Sequence, residues 1–407
     1  MSDREYDLVV HGATGFVGAL TARHLAEHAP AGVRIALSGR NRSKLEAVRD
    51  GLHRDWPLIV ADAADGGSLR ALAERTTAVV STVGPYARYG LPLVLACAEA
   101  GTSYADLTGE VLFARESVDR AHATARETGA RIVHSAGYDS IPSDLSVWAL
   151  HQRVEADGAG SLTDTVLVVM GAKGGVSGGT IDSLRGQIDT VRSDKDLRKV
   201  ALDPFALSAD RASDPAPRDT AHRDVVTPTR DPLLGRWVAP FVMSSYNTRI
   251  VRRSNSLLDH AYGDGFRYRE VMHAGRGRTA PLVAAGVSVG VGALAGGLAL
   301  PPTRFVLDRV LPKPGSGPSE KTRQTGWFRD ETHTVTTTGA RYTCLFAAKG
   351  DPGYAATAVM LGQSGLALAV DELTSEGGVL TPAVAMGDAL TARLREQGFQ
   401  IEVRAGD

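Results

Sequence analysis

Short apolar blocks alternate with longer stretches of helical spacing through the first third of the chain. Leu8–Val10 is followed by a helical pattern from Phe16 to about His28. Val33–Leu37, Leu58–Ala61 and Ala78–Val83 repeat the block. A helix starting near Ser68, then Leu91–Ala100, a short strand at Tyr104 and Val111–Thr128 continue the alternation, and Arg131–His134 closes it. Strands buried on both faces read as continuous apolar runs, and strand–helix alternation builds parallel sheets. The expected class is therefore α/β, opening with a Rossmann doubly wound parallel sheet.

The second half is less regular. Leu145–Val154 predicts a helix, Asp164–Ala172 a buried strand and Ile181–Val191 another helix. Between them, Gly174–Thr180 is either an anion- or carbonyl-binding loop or a flexible connection. Ala201–Gly235, rich in Pro and Asp, predicts a surface excursion or a lid. Trp237–Ile250 and Tyr262–Met272 suit a pocket wall or strand pairing. Trp327–Lys349 alternates around Thr338-Gly339-Ala340, a hairpin signal. Thr332, Thr334 and Thr336 share one face, and His333 lies on the other as a strand-surface residue. Lys313–Thr325 reads as a linker. Tyr354–Leu373 is apolar on nearly every side and predicts a core helix, stopped at Gly377-Gly378. Thr381-Pro382 then starts a last helix ending near Gly398.

One stretch stands apart. Thr279–Thr303 has no charged residue, and Leu282–Leu300 is about 19 apolar or small residues. A membrane span needs about 20. Frequent glycine, the flanking Pro281 and Pro301-Pro302, and domain-like sequence on both sides argue against a simple span. A buried helix, a dimer seam and a lipid-facing surface helix stay open. Arg304, Arg309 and Lys313 suit anionic headgroups.

Composition narrows the class. At 407 residues two domains are expected. Hydrophobic content of 43%, charged content of 22% and a net charge of -1 give no reason to expect nucleic acid. Cys97 and Cys344 are far apart with no ligand-spaced neighbour, so no metal site is expected and the compartment reads as reducing. The charged N-terminus runs straight into the first strand without a secretory pattern. The expected location is cytoplasmic, with peripheral membrane contact through 280–300 left open.

The chemistry gathers where the strands end. Gly12-Ala13-Thr14-Gly15-Phe16-Val17-Gly18 joins the first strand to the first helix. Gly12 permits the turn, Gly15 a close backbone approach to a pyrophosphate, and Gly18 close helix–sheet packing, with the helix N-terminus facing the phosphates. After the second strand stand Ser38, Arg40 and Lys44, with no acid before Glu46. That set suits the 2′-phosphate of NADP better than the 2′-hydroxyl of NAD. Asp62 either accepts from the adenine or caps the next helix. Ser81, Val83, Gly84 and Pro85 fall where the nicotinamide ribose belongs. Tyr86 and Tyr89 are wall residues or proton donors. Asp106 and Glu110 fit a turn or a cap. The loop Ser135–Asp144 offers Tyr138 and Asp139 as proton sources, with Tyr86 next.

The segments Gly12–Gly18, Ser38–Arg40, Val83–Tyr86, Tyr104–Glu110, Gly137–Asp144, Ser177–Thr180, Asp203–Phe205, Gly353–Met360 and Gly378–Pro382 together resemble the saccharopine dehydrogenase-like oxidoreductases, and among them most the actinobacterial trans-acting enoyl reductases. The resemblance implies an NADP-binding Rossmann domain followed by an α+β domain. The expected division is 1–145 for cofactor, 146–380 for substrate and dimerisation, and 381–407 as a C-terminal helix packed back on the Rossmann domain. It implies NADPH-dependent reduction of a carbon–carbon double bond in a lipid, polyketide or prenyl intermediate, so the partner is a hydrophobic or carrier-bound substrate. The amino-acid-binding features of saccharopine enzymes are not evident, and no lysine follows a tyrosine by four residues as in short-chain dehydrogenases. Reduction of a carbonyl or imine in a small acid, and a non-enzymatic lipid-associated scaffold, are the alternatives.

Overall fold

The computed structural model describes residues 4–175, 178–215, 222–311 and 317–406. Its first part runs β1 (Tyr6–His11), α1 (Phe16–His28), β2 (Ile35–Gly39), α2 (Arg42–Leu52), β3 (Leu58–Val60), α3 (Gly66–Glu74) and β4 (Thr76–Ser81). Then come α4 (Tyr86–Tyr89), α5 (Leu91–Ala100), β5 (Ser103–Asp106), α6 (Val111–Thr128), β6 (Arg131–Val133) and α7 (Ile141–Ala156). The second part has β7 (Leu162–Lys173), α8 (Gly178–Ser193), α9 (Lys195–Leu202), β8 (Thr229–Arg230), β9 (Trp237–Pro240), α10 (Ser244–Leu257) and β10 (Arg267–His273). It continues with α11 (Ala280–Ala299), α12 (Pro301–Val310), α13 (Glu320–Gln324), β11 (Trp327–Thr336) and β12 (Arg341–Lys349). After a wide turn at Pro352–Ala356 follow α14 (Thr357–Val370), β13 (Gly378–Leu380), α15 (Pro382–Glu396) and β14 (Gln400–Ala405).

These strands form two seven-stranded sheets. The first is parallel, in the order β13-β6-β5-β4-β1-β2-β3. Its continuous apolar runs are split by the pleat. Leu8 and Val10 face one side with Leu37, Val80 and Ala105. Val9 faces the other with Ala36, Val79 and Tyr104. α14 covers the first side, as its apolar composition requires. Gly365 makes that approach possible, since a Cβ there would lie 2.6 Å from Val80 Cγ1. The second sheet is mixed, in the order β14-β12-β11-β7-β10-β9-β8. The chain crosses between the sheets late: β13 completes the first sheet beside β6, and β14 joins the second beside β12. α15 lies against α14 and α7.

Three expectations change. The described residues of Ala201–Gly235 show anchoring and not a free-standing lid. Buried arginines of α10 tie its described residues to the domain: Arg252 donates to the Pro204 and His222 carbonyls at 3.0 and 2.9 Å, and Arg253 to that of Leu207 at 2.6 Å. Lys313–Thr325 is not wholly a linker, because 320–324 is helical; Lys313 itself lies outside the described residues. α11 is not a core helix. It packs along one side on β9, α8 and α12 and leaves Leu282 75% and Val289 71% exposed.

Candidate active site

The site is built from the carboxyl end of the first sheet. β1 runs out at His11, and Gly12 turns the chain at φ 85. A side chain there would also strike Thr82 and Val83. Ala13 is buried, and the turn is fixed by Gly12 and Ala13 N–H groups donating to the Ser38 carbonyl at 2.9 and 3.1 Å. Gly18 brings α1 so close that a Cβ would sit 2.2 Å from the Gly12 carbonyl oxygen. Gly15 is the N-cap of α1 and has no side-chain cap. The N–H groups of Phe16 and Val17 have no hydrogen-bond partner among the described residues. Thr14, partly buried, completes the turn. An uncapped helix start with orphan donors beside a cavity fits a pyrophosphate.

At the end of β2, Arg40 and Lys44 are exposed, and Arg40 has no ion-pair partner among the described residues. Ser38 differs from expectation. It is fully buried, with its Oγ 3.1 Å from His11 Nδ1. Its hydroxyl is committed inside the sheet, and burial holds His11 neutral by lowering its pKa to about 4. Asp62 accepts from the Ala64 N–H at 3.0 Å. The cap of α3 is Asp65, which accepts from the Gly67 N–H, so Asp62 does not cap that helix.

Beyond β4, Ser81 is buried and Val83 half-buried, and Gly84 and Pro85 line the cavity described below. Tyr86 is not free to donate a proton there. Its hydroxyl donates to the Ser81 carbonyl at 3.0 Å and accepts from the Leu107 N–H at 3.2 Å. Burial pushes its pKa well above the usual range. Glu110 holds this turn from 24 residues away, accepting from the Tyr86 and Ala87 N–H groups at 3.0 and 2.8 Å and from Ser183 Oγ at 2.6 Å. The paired acid is a cap for α4. Asp106 is likewise committed, accepting from His134 Nδ1 at 2.8 Å and the Ser135 N–H at 3.1 Å.

A cavity of about 390 Å³ opens between the glycine turn, α8 and α10. Gly15, Phe16, Val17, Thr82, Gly84, Pro85 and Tyr86 line its side toward the first sheet. Leu107, Ile181, Val242, Met243, Leu294 and Leu311 give it an apolar wall. No lysine or arginine lines it among the described residues. Of Gly174–Thr180, Gly179 and Thr180 line the cavity, whereas Ser177 lies outside the described residues.

Tyr138 and Asp139 both reach this cavity, by different means. The Tyr138 hydroxyl points back into the protein, donating to Asp330 Oδ1 at 3.4 Å, and its ring packs edge-on against Phe328. Burial raises its pKa well above the ordinary value, and the Asp330 carboxyl adds to this. Asp139 accepts no hydrogen bond from any described residue, and burial alone lifts its carboxyl to about 7. Behind Tyr138, Asp330 is raised well above the carboxylate range, and Glu270 is raised to about 7, both by burial first. Glu270 accepts from Tyr268 Oη at 2.9 Å and Asn247 Nδ2 at 3.0 Å. Tyr246, also on the cavity wall, donates to Ser135 Oγ at 2.5 Å.

Asp330, Glu270 and Tyr246 were missed from sequence, whereas Glu110 serves as the cap its place in the turn allowed. Asp330 alone left a signal. It shares the inward face of β11 with Phe328, Thr332 and Thr334, so an acid stands where an apolar residue is expected. His333 sits on the opposite face, bonded to Thr343 at 2.9 Å.

Residues 8–133 match the family described as Saccharopine dehydrogenase NADP binding domain. A trans-acting enoyl reductase of Mycobacterium ulcerans is 49% identical over 98% of this chain and 98% of its own. One of Mycobacterium tuberculosis is 49% identical over 98% and 97%. A further Mycobacterium tuberculosis relative is 52% identical over 98% of this chain and 97% of its own. Among solved structures, saccharopine dehydrogenase (L-Glu forming) of Saccharomyces cerevisiae overlays with a TM-score of 0.54 at 12% identity, covering 98% of this chain and 99% of that one. That likeness is one of fold. The chain belongs to the trans-acting enoyl reductase family, built on the saccharopine dehydrogenase fold.

Proposed function

We propose that this chain is an NADPH-dependent enoyl reductase that saturates the activated carbon–carbon double bond of a lipid, polyketide or prenyl intermediate. The Phe16 and Val17 N–H groups hold the pyrophosphate, and Arg40, with Lys44 one turn on, holds the 2′-phosphate. Bound there, NADPH supplies the hydride that adds at the β-carbon. The protein supplies the proton that follows at the α-carbon, so one alkene takes up one hydride and one proton. Asp139 is the donor. The observation that carries this reading is its carboxyl on the cavity wall, without a protein partner and with a pKa lifted to about 7 by burial. An acid of that strength is protonated and still able to release its proton near neutrality. Tyr138 closes the wall beside it, and its hydroxyl, held by Asp330, orients the ring.

The apolar wall favours a greasy or carrier-bound chain. A small acid needs a cation for its carboxylate, and the absence of any lining lysine or arginine among the described residues counts against that alternative. We assign the chain to the cytoplasm. The test is Asp139→Asn. It should lower kcat about 10²–10⁴-fold, leave NADPH affinity unchanged, and remove the fall in kcat as pH rises through about 7. Tyr86→Phe should leave that pH limb in place. Unchanged kcat in Asp139→Asn overturns the assignment of the donor.

A further inference from the structure

α11 has a buried side and an outward side of very different origin. Ala280, Ala284 and Leu298 are its buried residues, spaced to lie along one face against β9 and α8. The outward face should then carry polar residues, as on any helix packed at a protein surface. It carries none. Leu282, Val283, Ala285, Gly286, Val289, Gly290, Gly292, Ala293, Ala295 and Gly296 are all exposed. The one polar residue within the helix, Ser288, donates its hydroxyl to the Ala284 carbonyl at 2.8 Å. Leu300, 52% exposed, and Phe305, 61% exposed, extend the patch. A contiguous apolar surface of this length marks a contact with something apolar.

The flanking charges say what. From Val271 to Leu307 the chain carries Arg276, Arg278 and Arg304 and no acid. Arg276 and Arg278 are exposed at one end. At the other, Arg304 is paired to Asp189 at 2.8 Å, and Arg309 lies 3.9 Å over the Phe305 ring. A parallel two-fold contact between copies through α11 sets Arg276 and Arg278 of one copy against the same residues of the other. A bilayer of anionic lipid accepts the apolar face and neutralises Arg276 and Arg278 at once. A span is ruled out by the inner face, which is packed on protein.

We infer that α11 lies flat on an anionic membrane surface. Its Leu294, together with Leu311, also lines the cavity, so the docked helix is itself part of the wall that an apolar chain meets. The docking does not depend on the reaction assigned above, and it is measured without turnover.

The experiment is co-sedimentation of the full chain with phosphatidylglycerol vesicles and, separately, phosphatidylcholine vesicles. Wild type should pellet with the first and not the second, and should be released as salt is raised. Leu282→Asp with Val289→Asp, both at exposed positions, should lower vesicle affinity by about tenfold or more with an unchanged thermal midpoint. Arg276→Gln with Arg278→Gln should lower it about thirtyfold, at about fivefold per headgroup contact. A wild-type chain left in the supernatant overturns the inference. So does vesicle binding that survives the two aspartates. So does a dimer in sedimentation velocity that the two aspartates dissociate, because a second copy then covers the face.

Discussion

Alanine in place of two neighbouring glycines should separate cofactor approach from packing. At Gly15 a Cβ meets only the Gly12 carbonyl oxygen, at 3.2 Å. The backbone there, φ -75 and ψ 163, suits alanine. Losing glycine from an N-cap costs up to about 1 kcal/mol, and the stiffer unfolded chain offsets about 0.4–1 kcal/mol. Gly15→Ala should thus stay within about 1 kcal/mol of wild type. The new methyl nonetheless stands between a phosphate and the Phe16 and Val17 N–H groups. Losing one such charged hydrogen bond removes about 1.5–3 kcal/mol, so NADPH affinity should fall about 10- to 100-fold. Gly18→Ala acts differently. Its Cβ would lie 2.2 Å from Gly12 O and 2.8 Å from Thr82 Oγ1, and relieving that contact moves backbone, at a cost of about 1–3 kcal/mol or more. Fluorescence titration with NADPH and urea unfolding measure both quantities. A folded Gly15→Ala that binds NADPH like wild type refutes the pyrophosphate placement. An undiminished unfolding free energy in Gly18→Ala refutes the packing argument.

Two more outcomes follow from the site. Arg40→Ala should weaken NADPH about 10- to 100-fold and NADH little, read by the same titration; equal losses would remove Arg40 from the 2′-phosphate. Stability should fall as pH rises from 6.5 toward about 8. Asp139, Asp144 and Glu270, each raised to about 7 by burial, hold more protons folded than unfolded, so their contribution is fullest below the unfolded carboxyl range and drains away as pH climbs through 7. His11 and His24, lowered to about 4 from 6.5 by burial, act in the opposite sense but only below 6.5. Thermal midpoints across that range check the sign, and a midpoint that rises contradicts it.

Most of the first sheet was legible because its strands are short apolar blocks and the turns at their carboxyl ends carry glycine or proline. Its seventh strand was not. Gly378–Leu380 is three residues long and pairs with β6 across more than two hundred positions, which no local pattern reveals. The last strand, Gln400–Ala405, does alternate polar and apolar residues, but it is short and follows directly on the last helix, and it was read as part of that C-terminal helical segment. Gly12 was readable because its left-handed turn favours glycine, Gly18 because α1 packs too close for a Cβ, and Gly15 because the spacing of the three marks the turn. Ser38 was misread because sequence position does not tell which way a hydroxyl at a strand end points, and here it points inward to His11. Arg252 and Arg253 carried no signal in the sequence. Their partners are the carbonyls of Pro204, Leu207, His222, Tyr268 and Val379, distant in sequence and invisible to periodicity. The exposure of α11 could not be told from burial, since both demand the same apolar composition.

The central claim is tested most directly by mixing the purified chain, NADPH and a long-chain 2-enoyl thioester, then following nicotinamide absorbance and the mass of the product. The account predicts NADPH consumption matched mole for mole by a product two hydrogens heavier, with NADH a poor substitute. Oxidation of NADPH on a short 2-oxo acid, with the enoyl thioester untouched, would contradict it.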